Sequence, residues 1–212
     1  MISAVVLAAG LSTRMGMPKM LFSVEGRPML EKVLEIFRRT MVGEVVVVLG
    51  AESSRVSGEV EFLGERVVIN RGYRKGMSSS LKLGLARVSP RADAAMVALG
   101  DQPFLSPSTV DRIIEAFLAK RPPIVVPVYG RVRGNPVLFA RSVFPDVKKI
   151  EGDAGARSVV AQYGDRVLEV PVRDSGVLLD IDTPGDYRRA GVRGRRAQAI
   201  GGPGRAPLRR SG

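Results

Sequence analysis

The 212-residue chain has neither cysteine nor histidine, and its basic side chains outnumber its acidic ones by 12. That composition excludes disulfides, thiolate metal sites, cysteine nucleophiles and imidazole bases, so any chemistry must rest on carboxylates, cations, hydroxyls, backbone amides and oxygen-bound ions such as Mg²⁺. Hydrophobic residues make up 45% of the chain, enough for a core, but no apolar run nears the ~20 residues of a membrane span. No basic region precedes the N-terminal apolar stretch as in a signal peptide, so a cytoplasmic protein is expected.

The run Ile2 to Leu7 reads as a short buried strand. It leads into Leu7-Ala8-Ala9-Gly10-Leu11-Ser12-Thr13-Arg14-Met15-Gly16-Met17-Pro18-Lys19, a loop of small residues with two cations five residues apart. Such a loop suits a polyphosphate: its N–H groups form an anion site, Arg14 offers a planar fork and Lys19 a point charge. It is neither a Walker A loop nor a G-x-G-x-x-G fingerprint, and a surface turn with two solvated cations is the plainer alternative. Leu21 and Phe22 read as an edge or turn. Pro28 opens a helix whose apolar face is Met29, Leu30, Val33, Leu34, Ile36 and Phe37.

Glu44 to Leu49 has the β-branched run of a central parallel strand, and a short polar helix is expected around Ser54 to Leu63. Arg66 to Ile69 is the next strand. In Gly72-Tyr73-Arg74-Lys75-Gly76-Met77-Ser78-Ser79-Ser80-Leu81, a serine caps a helix running to about Arg87. Its free N–H groups either meet a nucleotide or serve only the cap. The strand Ala94 to Leu99 runs into Gly100-Asp101-Gln102-Pro103, which puts Asp101 where open α/β sheets bind ligands. Asp101 is a candidate Mg²⁺ ligand, with an N-cap or turn aspartate as the plainer reading; Pro107 and Ser108 are better placed to start the helix Ser108 to Ala119.

Ile124 to Pro127 is a strand, Tyr129-Gly130-Arg131 a hairpin turn, and the stretch to Phe139 a small antiparallel excursion from the sheet. Asn135 before Pro136 must be extended or in a turn, and could line an acceptor pocket. A helix from about Arg141 to Lys149 precedes Glu151-Gly152-Asp153-Ala154-Gly155-Ala156-Arg157, a glycine-rich start for a helix from Asp153 to Gln162, with Arg157 suited to a phosphate. Val167 to Val170 and Val177 to Leu179 read as late strands. Asp180 and Asp182 then share one side of the chain by alternation, where they need a cation or water between them. Thr183-Pro184 starts a last short helix. Val192 to Gly212 carries six arginines and no acid, half of the net charge, with too few apolar residues to offset its ordering entropy. The tail is expected to be mobile; nucleic-acid binding through it is a remote alternative, because no nucleic-acid motif accompanies it.

Five stretches resemble one family. Leu7 to Lys19 matches L-A-A-G-x-S-x-R-M-G-x-x-K, the signature of the nucleotidyltransferases acting on the molybdenum cofactor, and within that group is most similar to the cytidylyltransferases. Gly76 to Ser80, Gly100 to Gln102, Gly152 to Arg157 and Asp180 to Asp186 resemble further motifs of that group, with Gly185 where the family has Glu. The resemblance implies a three-layer α/β/α sandwich with a mostly parallel sheet, of the nucleotide-diphospho-sugar-transferase-like (Rossmann-like) kind, over residues 1–190, followed by the basic tail 191–212. It implies CTP as donor, a molybdopterin-type acceptor and Mg²⁺. Leu7, Ala8, Ala9, Gly10, Arg14, Lys19, Ser78, Ser79 and Gly100 would bind the nucleotide, with Arg14, Lys19 and Asp101 catalytic. Asp101 and Asp182 would hold the metal, with Asp180 the weaker candidate. Asn135, Pro136, Asp153, Gly155 and Arg157 would bind the acceptor. Guanylyltransferase relatives carry a second glycine where this chain has Ala9, which favours CTP; GTP, or another phosphorylated acceptor, is the alternative.

Overall fold

The computed structural model describes residues 1–10, 17–183 and 185–186. Arg14 and the tail 191–212 lie outside them, as does most of the helix expected from Thr183-Pro184. In chain order the elements are β1 (Ile2–Ala8), β2 (Ser23–Val24), β3 (Arg27–Pro28), α1 (Met29–Arg38), β4 (Glu44–Leu49), α2 (Ser53–Glu59), β5 (Arg66–Ile69), α3 (Met77–Arg87) and β6 (Ala94–Leu99). There follow α4 (Pro107–Lys120), β7 (Ile124–Tyr129), β8 (Val132–Arg133), β9 (Val137–Ala140), α5 (Phe144–Val147), α6 (Ala156–Tyr163) and β10 (Val167–Val172).

The main sheet runs β10-β7-β9-β6-β1-β4-β5, with β8 paired to β7. β1 pairs in parallel with both β4 and β6, β4 with β5, and β10 with β7. Val5, Val6, Val46, Val47, Met96 and Val97 are almost wholly buried, so helices cover both faces of these central strands, as an all-apolar parallel strand requires. α3 lies across β1 and β4 and touches α5; α4 packs on β7 and β10 and touches α1. The result is the expected three-layer α/β/α sandwich.

The departures from expectation have local causes. The antiparallel excursion is the β7–β8 hairpin, but β9 then re-enters the main sheet between β6 and β7. Val137, Leu138 and Phe139 are 3, 0 and 0% exposed, and three consecutive apolar residues of that kind cannot stay at an edge. Val177 to Leu179 is no strand: Ser175–Leu178 forms a 3₁₀ turn, and the Asp174 carboxylate accepts from Gly176 N at 2.9 Å. An Asp-Ser-Gly sequence favours that turn over extension. α6 begins at Ala156 rather than Asp153, because Gly155 is extended, with φ −101 and ψ −161, and stands as the N-cap. Pro28 pairs in β3 and caps α1 from outside instead of opening it. The segment Arg141 to Lys149 holds only a 3₁₀ turn and the short α5, whose first turn takes Pro145.

Two local contacts set the seating of helices. Gly84 lets α3 approach the sheet, where an added Cβ would collide with Val5 Cγ1 and stand 3.0 Å from Val48 Cγ2. Alanine there gains ~1 kcal/mol of helix propensity and loses ~1–3 kcal/mol to overpacking, so Gly84→Ala is expected to lower the melting temperature in a thermal scan. On the far side of α1, Arg38 Nε donates to Glu65 Oε1 at 2.6 Å and Glu65 Oε2 accepts from Leu63 N at 2.6 Å. Burial alone would raise the Glu65 carboxyl, but the Arg38 hydrogen bond and charge outweigh it and hold the group below the ordinary glutamate value of about 4.3. Its stabilisation is therefore complete above that value and disappears as pH falls through the lowered folded value. Urea melts of Glu65→Gln should show a loss of about 1–2 kcal/mol at pH 7 that vanishes in acid.

Candidate active site

The neighbouring strands β1 and β6 end together, with Leu7 opposite Leu99. Gly100 N donates to Leu7 O at 2.9 Å and stitches the two ends. A Cβ on Gly100 would lie 2.8 Å from Met20 Sδ and 3.1 Å from Ala8 Cβ, so a larger residue here would have to displace the Met20 side chain and crowd Ala8. Asp101 follows directly, beyond the carboxyl end of β6.

Lys19 reaches Asp101 from the loop after β1. It sits in a 3₁₀ turn, Lys19–Leu21, whose Met20 and Leu21 are buried. Lys19 is itself only 9% exposed. Its Nζ donates to Asp101 Oδ2 at 2.6 Å and to Asp182 Oδ1 at 2.5 Å. Asp182 is held there by its neighbour. Ile181 is fully buried with Val24 and Met29 beside the β2–β3 hairpin, and Ile181 N donates to Asp101 O at 3.0 Å. Burying one isoleucine contributes about 1.5–3 kcal/mol, enough to fix this segment. Asp180 and Asp182 flank the buried Ile181; Asp182 meets Lys19 and Asp180 meets Gln102, in a segment that is not a strand.

The electrostatics follow from this convergence. Burial pulls the Lys19 ammonium down, but the charges and hydrogen bonds of Asp101 and Asp182 more than reverse it, and its pKa lies above the ordinary lysine value. Burial, and next the Asp101 charge, push the Asp180 carboxyl up, against a hydrogen bond from Gln102 that favours its charged form. Gln102, which the motif reading did not single out, is 2% exposed; its Nε2 donates to Asp180 Oδ1 at 2.7 Å. Its signal in the sequence was only its place beside Asp101, and polarity alone does not distinguish a buried glutamine from an exposed one.

The donor set fits a hard divalent cation. Asp101 Oδ1 is buried with no hydrogen-bond partner, an acceptor stripped of water and left for a cation. Among the described residues no group of three or more acidic, histidine or cysteine side chains forms a metal cage. A metal here would take one or two carboxylates and complete its shell from a substrate, the usual habit of Mg²⁺.

The other predicted residues gather at the same edge of the sheet. Ala8 closes β1 and is buried, Ala9 is half-buried and Gly10 exposed. Ala9 passes under Gly50, where a Cβ would stand 2.8 Å from Ala9 Cβ; Gly50 thus makes room for the loop. At the start of α3 the serines do not cap the helix. The Ser79 hydroxyl accepts from Asn70 Nδ2 at 2.8 Å and faces the Gly76 carbonyl, also at 2.8 Å. Ser78 N donates to Gly152 O at 3.1 Å. That bond seats the Glu151–Gly155 loop on α3, with Gly76 at φ +96 packed where a Cβ would come within 2.7 Å of Asp153 N. Ser78, Ser79, Asp153 and Gly155 thus form one wall. Asp153 and Arg157 are exposed on it. Asn135, joined to Pro136 by a cis peptide, donates its N–H to Val177 O at 2.9 Å, on the segment that carries Asp180.

Comparison with known proteins matches residues 4–167 to the family model for the MobA-like NTP transferase domain. The chain is 32% identical to the nicotine blue oxidoreductase of Paenarthrobacter nicotinovorans, over 86% of this chain and 92% of that protein. It is 28% identical to a probable molybdenum cofactor guanylyltransferase of Pyrococcus horikoshii, over 79% of this chain and 82% of that protein. Among solved structures it resembles Rv0371c of Mycobacterium tuberculosis H37Rv, with TM-score 0.81 and 37% identity over 89% of this chain and 95% of that one. A complex of Rv0371c with manganese gives TM-score 0.77 and 35% identity, over 89% and 96% of the two chains.

Gln102→Leu leaves the Asp180 carboxylate without this donor, and is expected to cost about 1–3 kcal/mol in a urea melt at pH 7. In the Asp180→Asn background no buried charge is stranded, so the same change should cost clearly less; equal costs in both backgrounds would show that Gln102 acts elsewhere.

Proposed function

The chain belongs to the MobA-like NTP transferase family and is a nucleotidyltransferase, and we propose that it transfers CMP from CTP to the phosphate of a molybdopterin-type cofactor, releasing pyrophosphate with Mg²⁺. The observation that carries the reading is the Lys19 ammonium buried between Asp101 and Asp182 at the carboxyl ends of β1 and β6, beside the partnerless Asp101 Oδ1. The molybdopterin-type acceptor is supported by the five motif resemblances and by the molybdenum cofactor named for the Pyrococcus relative. Ala9 supports CTP over GTP, since a methyl group stands where the guanylyltransferase pattern has glycine.

In this reading the triphosphate lies over the loop from Ala8 to Lys19. An oxygen of the acceptor phosphate attacks the α-phosphorus of CTP; the new P–O bond forms as the bond to the β-phosphate bridging oxygen breaks, and pyrophosphate leaves. The attacking oxygen is already anionic, so no protein base is required, which accords with a chain lacking histidine and cysteine. Such a transfer depends on positioning and charge neutralisation. Lys19 supplies a buried positive charge beside the phosphates, and Arg14 a second from the loop. Asp101 and Asp182 would hold Mg²⁺, which when bound neutralises charge on the phosphates; Asp180 stays in reserve behind Gln102. Asn135, Pro136, Asp153, Gly155 and Arg157 would face the acceptor, with Arg157 on its phosphate. GTP on the same acceptor, or another phosphorylated small molecule, is the runner-up.

The test is pyrophosphate release with Mg²⁺ and each of CTP, GTP, UTP and ATP, with and without molybdopterin-type acceptor. Acceptor-dependent release with CTP alone is expected, and Asp101→Asn should reduce it at least ~100-fold. Preference for GTP would overturn the weight given to Ala9, and no acceptor-dependent release with any nucleotide would overturn the acceptor. Because one relative is named an oxidoreductase, oxidation of a reduced nicotinamide is the control reaction; none is expected.

A further inference from the structure

We infer that Lys19 is a resident counter-cation of the aspartate cluster. In the nucleotide-free protein its ammonium supplies the positive charge that a divalent ion would bring, so the metal enters with the nucleotide and not before it. The inference rests on the transferase reading above and adds an order of events to it.

Three observations carry it. First, one ammonium bonds both carboxylates proposed as metal ligands, at 2.6 Å to Asp101 Oδ2 and 2.5 Å to Asp182 Oδ1. These are short, charge-assisted contacts that already draw on the charge of both groups. Second, the ammonium is buried. The Lys19 side chain is 11% exposed and that of Asp101 21%, so water screens the attraction within this pair and the repulsion of a further cation only weakly, while Asp182, at 54%, is the solvent-facing partner. A divalent ion on Asp101 Oδ1 would sit one carboxylate group away from that fixed positive charge. Third, the remaining carboxylate is engaged: Asp180 Oδ1 accepts from Gln102. Lys19 offsets one of the cluster's negative charges, and what remains must compete for a small divalent cation that dehydrates reluctantly and is ordinarily bound with the help of substrate phosphates.

A triphosphate changes the balance. Lysine carries its charge on a flexible four-carbon stem, and Lys19 closes the loop over which the phosphates would lie. Phosphate oxygens compete with the carboxylates for its ammonium. The negative charge they bring, together with the carboxylate oxygens they release, makes a seat for the metal. Before a nucleotide binds, the same ammonium keeps Asp101 and Asp182 from repelling each other.

The test is a Mn²⁺ titration of the metal-free full-length protein, read by electron paramagnetic resonance, for the wild type, Lys19→Met, Lys19→Gln and Lys19→Arg, with and without CTP. The wild type is expected to bind Mn²⁺ weakly alone and at least about 10-fold more tightly with CTP. Lys19→Met and Lys19→Gln should bind Mn²⁺ alone at least about 10-fold more tightly than the wild type, while Lys19→Arg, which keeps the charge, should not. In thermal melts the two neutral variants should start lower than the wild type and recover with Mn²⁺ by more than the wild type rises. Equal Mn²⁺ affinity of the wild type and whichever neutral variant melts cooperatively would overturn the counter-cation role, even with pyrophosphate release from CTP intact. Conversely, tight Mn²⁺ loading by the neutral variants beside a wild type that releases no pyrophosphate from any nucleotide would keep the counter-cation and overturn the CMP-transfer reading.

Discussion

One ammonium between two carboxylates organises this molecule's working edge. Lys19 joins segments that are 82 residues apart at Asp101 and 163 apart at Asp182. Each of the three reaches the site by a different route: Lys19 from a 3₁₀ turn whose neighbours are buried, Asp101 from the end of a central strand, and Asp182 from a segment pinned by Ile181. Removing Asp101 or Lys19 strands the other as a poorly hydrated charge, the costly outcome for buried ions, whereas Asp182 is exposed to water. The pair is better understood as a functional arrangement held by the surrounding core than as a source of stability.

Close approach makes that arrangement possible. Gly100 allows β1 and β6 to meet at their carboxyl ends, Gly50 lets Ala9 pass beneath the end of β4, and Gly76 lets the loop at Gly152 rest on α3. These contacts draw the first loop, the start of α3 and the loop before α6 to one side of the sheet. The satellite cluster of Val24, Met29 and Ile181 does the same for the C-terminal segment. Small residues and one buried isoleucine thus bring four distant motifs to a single edge, where the parallel strands of an open sheet present ligand sites.

The chemistry such an edge can perform is bounded by what it contains. A carboxylate oxygen without a partner, a buried ammonium and exposed cations suit the handling of phosphates and a hard metal ion, and the chain offers neither a cysteine nucleophile nor an imidazole base. Family membership and the charge arrangement agree on nucleotidyl transfer, a reaction that needs alignment and neutralisation above all. No helix among the described residues is long and apolar enough to cross a membrane.

Much of the architecture was legible in the chain. The apolar runs from Ile2, Glu44 and Ala94 mark buried strands, the β-branched one after Glu44 most clearly because both its faces are covered, and the placement of Asp101 after an apolar strand marks the ligand edge. The motif resemblance selected Lys19, Asp101 and Asp182, all three of which meet. Their mutual contact was not legible: the sequence assigns Lys19 to phosphates and the aspartates to a metal, and only the fold brings the ammonium between the carboxylates. Gln102 was hidden because burial cannot be read from one polar residue. Val177 to Leu179 misled because three apolar residues suit a strand or a turn equally, and the Asp174 cap decides. β9 was misplaced because pairing partners far apart in sequence are chosen by the core. Local pattern determined which segments become strands and helices and which residues can bear charge; tertiary packing alone decided which of those charges meet, since that depends on where the buried neighbours of each residue come to rest.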